Sequence, residues 1–131
     1  MTGLDTSVVL RYIMQDDLKQ SRKATELIES LTPNAPGFIA MVSLIEIFWV
    51  LTSSYKLTKD QVTRAIEQLL KTKELVLDRA EQVAQALRLY KTSSSDFADC
   101  LISRLCASAG CTETITFDIS AAKIAGMKLI N

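Results

Sequence analysis

Short apolar segments alternate with helical patterns along the whole chain. They lie at residues 1–4, 38–40, 75–77, 114–117 and 128–130. Strands that are separated by helices do not pair as hairpins, so they align in parallel and the helices cover the faces of the sheet. We therefore expect an α/β fold with a short, mostly parallel central sheet, flanked by helices in a three-layer α/β/α arrangement.

The segments between these strands place apolar residues at helical spacing. The most apolar of them, residues 42–54, predicts a buried helix. Ser93 to Asp96 is typical of a helix start, and Gly110 is suited to end that helix at its C-terminus. The remaining helices are predicted at residues 8–13, 21–31, 59–71, 79–90 and 120–125. No repeat or linker is visible, so we expect a single domain over residues 1–131.

Composition excludes several chemistries. The chain contains no histidine, which rules out Ser-His-Asp catalysis and any zinc site with imidazole ligands. Cys100, Cys106 and Cys111 are odd in number and lack CxxC spacing, so neither a disulfide framework nor a zinc knuckle is expected. We expect the chain in the reducing cytoplasm, with Cys100 and Cys106 packed as small hydrophobic side chains.

Charge and hydropathy set two further limits. Lys plus Arg and Asp plus Glu number 15 each, so contact with nucleic acid must come from local basic patches. The apolar stretch at residues 40–51 is too short to span a membrane, and Glu46 interrupts it. We therefore expect no membrane association.

Acidic residues stand where an α/β sheet places a ligand site. Asp5 and Asp118 each end a predicted strand, and Glu46 is the only charged residue between Gly37 and Tyr55. Asp96 and Asp99 lie three residues apart at the start of one helix and so share a face. Because ligands bind at the carboxyl ends of parallel strands, we expect these acids to converge on one pocket.

Clustered carboxylates are the ligands that Mg²⁺ and Mn²⁺ prefer. Crowded carboxylates repel each other, so the arrangement itself indicates a bound cation that activates water against a phosphate. Other roles stay open at this point. Asp5, Asp96 and Asp118 could cap helices, Glu46 could form a structural salt bridge, and Asp99 could interact with the helix dipole.

Four segments resemble the motifs of PIN-domain nucleases, in the same order along the chain. They are residues 4–12, 43–51, 96–102 and 116–118. The similarity is strongest to the VapC-type toxins of toxin–antitoxin pairs, and it includes residues 12–17 and Trp49-Val50-Leu51. It covers nearly the whole chain.

This resemblance implies a PIN-like fold and Mg²⁺- or Mn²⁺-dependent endonucleolytic cleavage of RNA. It also implies a homodimer and a cognate antitoxin that blocks the site. The catalytic and metal-binding residues it implies are Asp5, Glu46, Asp99 and Asp118, with Glu46 either a ligand or the residue that orients the attacking water. Asp96 and Ser7 are possible accessory residues.

The other candidate contacts are less specific. Arg11, Lys91 and Arg104 are candidates to bind the RNA backbone. Leu10, Ile13 and Met14, together with the helix after Lys59, form a candidate groove for an antitoxin segment. Tyr12, Phe48 and Trp49 are expected in the core or in dimer contacts.

Three rival functions remain. One is a PIN-fold binding protein without catalysis, and another is a metal-dependent DNA nuclease. The third, a haloacid-dehalogenase-like phosphatase, is disfavoured because Ser7 occupies the position where that chemistry needs a second Asp.

Overall fold

The computed structural model describes residues 1–130, with Ile124 described by its backbone only. The chain divides into two compact units, Met1–Asp78 and the residues from Arg79 onward. No helix in the described part of the chain is long and apolar enough to cross a membrane.

The first unit is built on a three-stranded parallel sheet. Its strands are Thr2–Gly3 (β1), Gly37–Ile39 (β2) and Leu75–Leu77 (β3), in the order β1-β2-β3. The connections are helical, as parallel pairing requires. Two helices join β1 to β2 and two join β2 to β3; they are Thr6–Met14 (α1), Leu18–Glu29 (α2), Met41–Ser53 (α3) and Lys59–Lys71 (α4). The predictions of parallel pairing and of an edge strand at 75–77 are confirmed.

The core of the first unit comes from one face of each amphipathic helix and from the central strand. The largest fully buried side chains there are Ile39, Leu44, Ile47, Leu51 and Ile66. Their spacing along α3 and α4 follows the helical period, so each helix contributes one stripe to the interior.

Helix α3 departs from its prediction as a buried helix. Val42, Ile45 and Trp49 are 71%, 43% and 69% exposed, so apolar side chains also cover its outer face. High hydropathy identified the helix, but hydropathy alone does not show whether a second face is covered by the same chain. Trp49 is therefore not a core residue of this chain.

An acid from the neighbouring strand caps α3. Ala40 at the N-cap position has no side-chain acceptor, and the backbone N–H of Met41 instead donates to Asp78 Oδ2 at 3.2 Å. Asp78 directly follows β3. This bond holds the N-terminus of α3 against the carboxyl end of the sheet.

The second unit contains three helices and a two-stranded parallel sheet. The helices are Ala80–Lys91 (α5), Phe97–Ser108 (α6) and Ile119–Ile124 (α7), and the strands are Ile115–Thr116 (β4) and Lys128–Leu129 (β5). Gly110 and Gly126 follow α6 and α7 with φ angles of 96° and 74°, in the left-handed region that glycine adopts freely. The predicted end of α6 at Gly110 is confirmed.

The core of the second unit lies along α5 and α6. Its buried side chains are Val83, Ala86, Leu87, Phe97, Cys100 and Leu101. Cys100 is fully buried and Cys106 half-buried, which confirms the prediction that they pack as small hydrophobic groups. Cys111 is exposed.

The turn between α1 and α2 is tied to the end of α3 by a charged network. The Tyr55 hydroxyl donates to Asp16 Oδ2 at 2.6 Å, and Arg11 Nη1 donates to Asp16 Oδ1 at 3.1 Å. The hydrogen bond from Tyr55 holds the pKa of Asp16 below its ordinary value of 3.8 and raises the pKa of Tyr55. Asp16 is therefore hydrogen-bonded on both carboxylate oxygens.

We expect Tyr55→Phe to lower the melting temperature near neutral pH, because it removes a hydrogen bond to an ionised carboxylate. The pKa of Asp16 is lowered in the folded state, so this stabilisation is present above the unfolded pKa of 3.8 and is lost as pH falls through the lower, folded value. Thermal melts over a pH series should show the deficit shrinking in acid. Tyr12→Phe is the matched control, and an equal effect of both variants would contradict the role of Asp16.

Candidate active site

Asp5 leaves β1 at the carboxyl edge of the sheet and caps α1. Its Oδ2 accepts from the backbone N–H of Ser7 at 3.4 Å and from the Ser7 hydroxyl at 2.9 Å. The hydroxyl is the larger cause of a lowered pKa of Asp5, so the carboxylate stays ionised and exposed. Asp5 can cap α1 and also lie at the sheet edge, because α1 starts directly after β1.

Glu46 lies on the exposed side of α3, in its second turn. Its Oε1 accepts from the Thr6 hydroxyl at 3.0 Å. Thr6 directly follows Asp5, so this bond links Glu46 to the turn that presents Asp5. No Lys or Arg among residues 1–130 pairs with Glu46, so the described structure contains no salt bridge that would explain this acid.

The second unit gathers three acids around the starts of α6 and α7. Asp96 caps α6 by accepting from the Asp99 N–H at 2.8 Å, and Asp118 caps α7 by accepting from the Ala121 N–H at 2.9 Å. Asp99 is half-buried in the first turn of α6. Burial raises its pKa first, and the negative charges of Asp96 and Asp118 raise it further.

The predicted acids thus fall into two groups. One contains Asp5 and Glu46, and the other contains Asp96, Asp99 and Asp118. Within residues 1–130, no three Asp, Glu or Cys side chains are arranged as a ligand set for a metal ion. The donors themselves suit a hard divalent cation, and the raised pKa of Asp99 marks carboxylate crowding that such a cation would relieve.

The accessory candidates differ in their surroundings. Ser7 contacts Asp5, as described above. Arg11 is held by Gln20 and Asp16, through Nε at 2.8 Å and Nη1 at 3.1 Å. Lys91 is exposed at the end of α5, and Arg104 is half-buried in α6, where its Nη2 donates to Ser103 Oγ at 3.0 Å.

Two residues near the first acidic group were missed in the sequence. Asp78 follows β3 just as Asp5 follows β1, so the rule that singled out Asp5 would have found it. No short motif marks the Thr6 hydroxyl as the group that holds Glu46, because that contact spans 40 positions.

The PIN domain family model matches residues 4–127 of the chain. This protein belongs to the PIN domain family. It is also 24% identical over 132 residues to the VapC ribonuclease of Aquifex aeolicus (strain VF5), an alignment that spans 100% of this chain and 96% of the relative.

Family membership confirms two predictions made from the sequence. The resemblance to PIN-domain proteins of the VapC ribonuclease type holds, and so does the α/β fold class, a PIN-like three-layer α/β/α fold with short parallel strands flanked by helices. The matched range includes Asp5, Glu46, Asp99 and Asp118.

Proposed function

We propose that this protein is a Mg²⁺- or Mn²⁺-dependent endoribonuclease, acting in the cytoplasm as the toxin of a toxin–antitoxin pair. The PIN family match and the similarity to a VapC ribonuclease support a nuclease. The observation that carries the proposal is that all four motif acids lie in the range matched by the family model, and that no Lys or Arg among residues 1–130 pairs with the half-buried Asp99. Acids with a purely structural role are usually paired when they are crowded or partly buried.

The proposed roles follow from the surroundings of each acid. Asp5, Asp99 and Asp118 would hold the cation, and Glu46 would complete the set as a ligand or orient the attacking water. When bound, the cation supplies an activated water and neutralises charge on the phosphate. Ser7 keeps the Asp5 carboxylate ionised, and Thr6 holds the Glu46 carboxylate in place.

A cleft between α1 and α2 supports RNA binding next to Asp5. It encloses about 280 Å³ and runs from Ser7, which contacts Asp5, along Arg11 and Lys23. Arg11 is already engaged with Asp16 and Gln20, whereas Lys23 has no partner among the described residues. Lys23 is therefore the cation in this cleft that is free to contact a phosphate of the RNA backbone.

Two apolar surfaces support the proposed protein partners. A groove of about 360 Å³ lies between α1, α2 and α4; Tyr12, Ile13 and Leu69 contribute to its lining. We assign it to an amphipathic segment of the antitoxin; of the predicted stripe Leu10, Ile13 and Met14, Ile13 lines this groove. The exposed face of α3, formed by Val42, Ile45 and Trp49, is assigned to a homodimer contact because exposed apolar patches mark association sites.

Replacing motif acids tests the catalytic proposal. We expect Glu46→Gln and Asp99→Asn each to reduce Mn²⁺-dependent cleavage of a mixed structured RNA pool by more than about 100-fold, since even outer-shell changes at metal sites cost 10- to 100-fold. Both variants keep side-chain size, and neither residue caps a helix, so circular dichroism should be unchanged. Asp60→Asn, an exposed acid in the first turn of α4, is the matched control.

Full activity in Glu46→Gln or Asp99→Asn would refute the assignment of that residue. Cleavage of DNA but not RNA would favour the DNA nuclease. No cleavage of either nucleic acid by the unsubstituted protein in Mg²⁺ or Mn²⁺ would favour a binding protein without catalysis.

Two variants, one in each surface, test the dimer contact and the antitoxin groove separately, and each variant is the control for the other. We expect Trp49→Ser to yield monomers in sedimentation velocity and to retain the cognate antitoxin, because it removes the largest exposed apolar group of α3. Ile13→Ser should stay dimeric and lose antitoxin binding. If both variants remain dimeric and bind antitoxin as the parent does, neither surface has the proposed role.

A further inference from the structure

A second cavity, in the second unit, is lined by two arginines. It encloses about 460 Å³ within the second unit. Its lining consists of Gln85, Arg88 and Leu89 from α5, Arg104 from α6, and Ala125 and Gly126 after α7. No acidic residue is present among these lining residues, so the cavity is positively charged.

Arg104 enters this cavity with unused hydrogen-bonding capacity. Its Nη2 donates to Ser103 Oγ, and the Ser103 hydroxyl in turn donates to the carbonyl of Ala125 at 2.6 Å. Its Nε is buried and has no hydrogen-bond partner among residues 1–130. Its Nη1 makes no hydrogen bond with a described residue and is accessible, so it can donate to a ligand in the cavity.

Arg88 supplies a second free guanidinium. It is exposed and forms no hydrogen bond or ion pair with any described residue. Gln85 adds an amide that donates hydrogen bonds. The two non-bridging oxygens of a backbone phosphate match the arginine fork, and no acid in the lining competes for these donors, so the set suits a phosphate anion.

The cavity is separate from the acids within the second unit. Asp118 stands at the N-terminus of α7, whereas Ala125 and Gly126 follow the other end of that helix. Arg104 lies five residues after Asp99 on α6, roughly 7.5 Å along the helix axis. A ligand in this cavity is therefore not the phosphate that the acids would cleave.

We propose that this cavity binds a backbone phosphate of the RNA at a position other than the cleaved bond. This inference rests on the proposed ribonuclease function and extends it, because it assigns Gln85 and Arg88 to substrate binding beside the predicted Arg104. Leu89 is half-buried and adds apolar surface to the lining beside the two arginines.

The test measures RNA binding without cleavage. The full chain in EDTA is titrated against a fluorescein-labelled single-stranded oligoribonucleotide, with anisotropy recorded over a range of salt concentrations. We expect Arg88→Gln and Arg104→Gln each to bind several-fold more weakly and to reduce the slope of log K against log salt by about 0.7, the value for one lost phosphate contact on a single strand. Arg64→Gln, an exposed arginine on α4, is the matched control.

Two variants are compared because a substitution that disturbs the fold would also weaken RNA binding. Arg104 is half-buried, so its substitution is checked by circular dichroism, while Arg88 is exposed and its variant should fold normally. Binding by Arg88→Gln and Arg104→Gln that equals binding by Arg64→Gln would overturn the proposal. A second result would also overturn it. In that result, inorganic phosphate or polyglutamate raises the melting temperature of the parent chain but not of these variants, and RNA raises neither.

Failure of the proposed ribonuclease function would give a different result from failure of the cavity assignment. In that case the parent chain would bind RNA through Arg88 and Arg104 in EDTA, yet no divalent cation would support cleavage. Normal metal-dependent cleavage, with binding indifferent to both arginines, would overturn only the cavity assignment.

Discussion

Parallel pairing of β2 with strands on both sides organises the first unit. The N–H of Leu4 donates to the carbonyl of Phe38 at 2.9 Å, and the N–H of Gly37 donates to the carbonyl of Glu74 at 2.8 Å. Because the three strands run in the same direction, the residues that follow them leave the sheet at one edge. Asp5 and Asp78 are two of these residues. Asp78 caps α3, and α3 carries Glu46 within reach of Thr6.

Helix capping and metal binding are compatible roles for the same acids. Asp5, Asp96 and Asp118 each accept a backbone N–H at a helix start, so each side chain is oriented by the fold. A carboxylate has more acceptor positions than the cap uses, so it retains capacity for a cation. The hydroxyl and the backbone N–H of Ser7 lower the pKa of Asp5, whereas burial, together with the charges of Asp96 and Asp118, raises the pKa of Asp99. On our account, a divalent cation offsets that repulsion.

Local patterns predicted most of the fold. Helical spacing located α1 to α7 to within a few residues, since those periods reflect which face is buried. The exposed face of α3 could not be predicted, because the covering of an apolar face depends on tertiary packing rather than on hydropathy. The candidate site residues came from several patterns. Strand ends pointed to Asp5 and Asp118, the lone charge of an apolar helix to Glu46, and a helix start to Asp96 and Asp99.

Other parts of the site depend on contacts between distant positions. The bond between Thr6 and Glu46 and the cap that Asp78 provides to α3 join residues 40 and 37 positions apart. In the sequence, nothing distinguishes Lys23 and Arg88 from other solvated cations. Only the structure shows which cations have hydrogen-bond or ion-pair partners and which do not.

The central claim is that the four motif acids serve one reaction, and a double-mutant cycle tests it most directly. Asn caps helices as well as Asp does, so Asp5→Asn and Asp118→Asn should preserve the fold. We predict that each single variant loses more than about 100-fold in Mn²⁺-dependent cleavage of RNA, and that the double variant loses no more than either single variant. Losses that multiply in the double variant, or full activity in either single variant, would contradict the account.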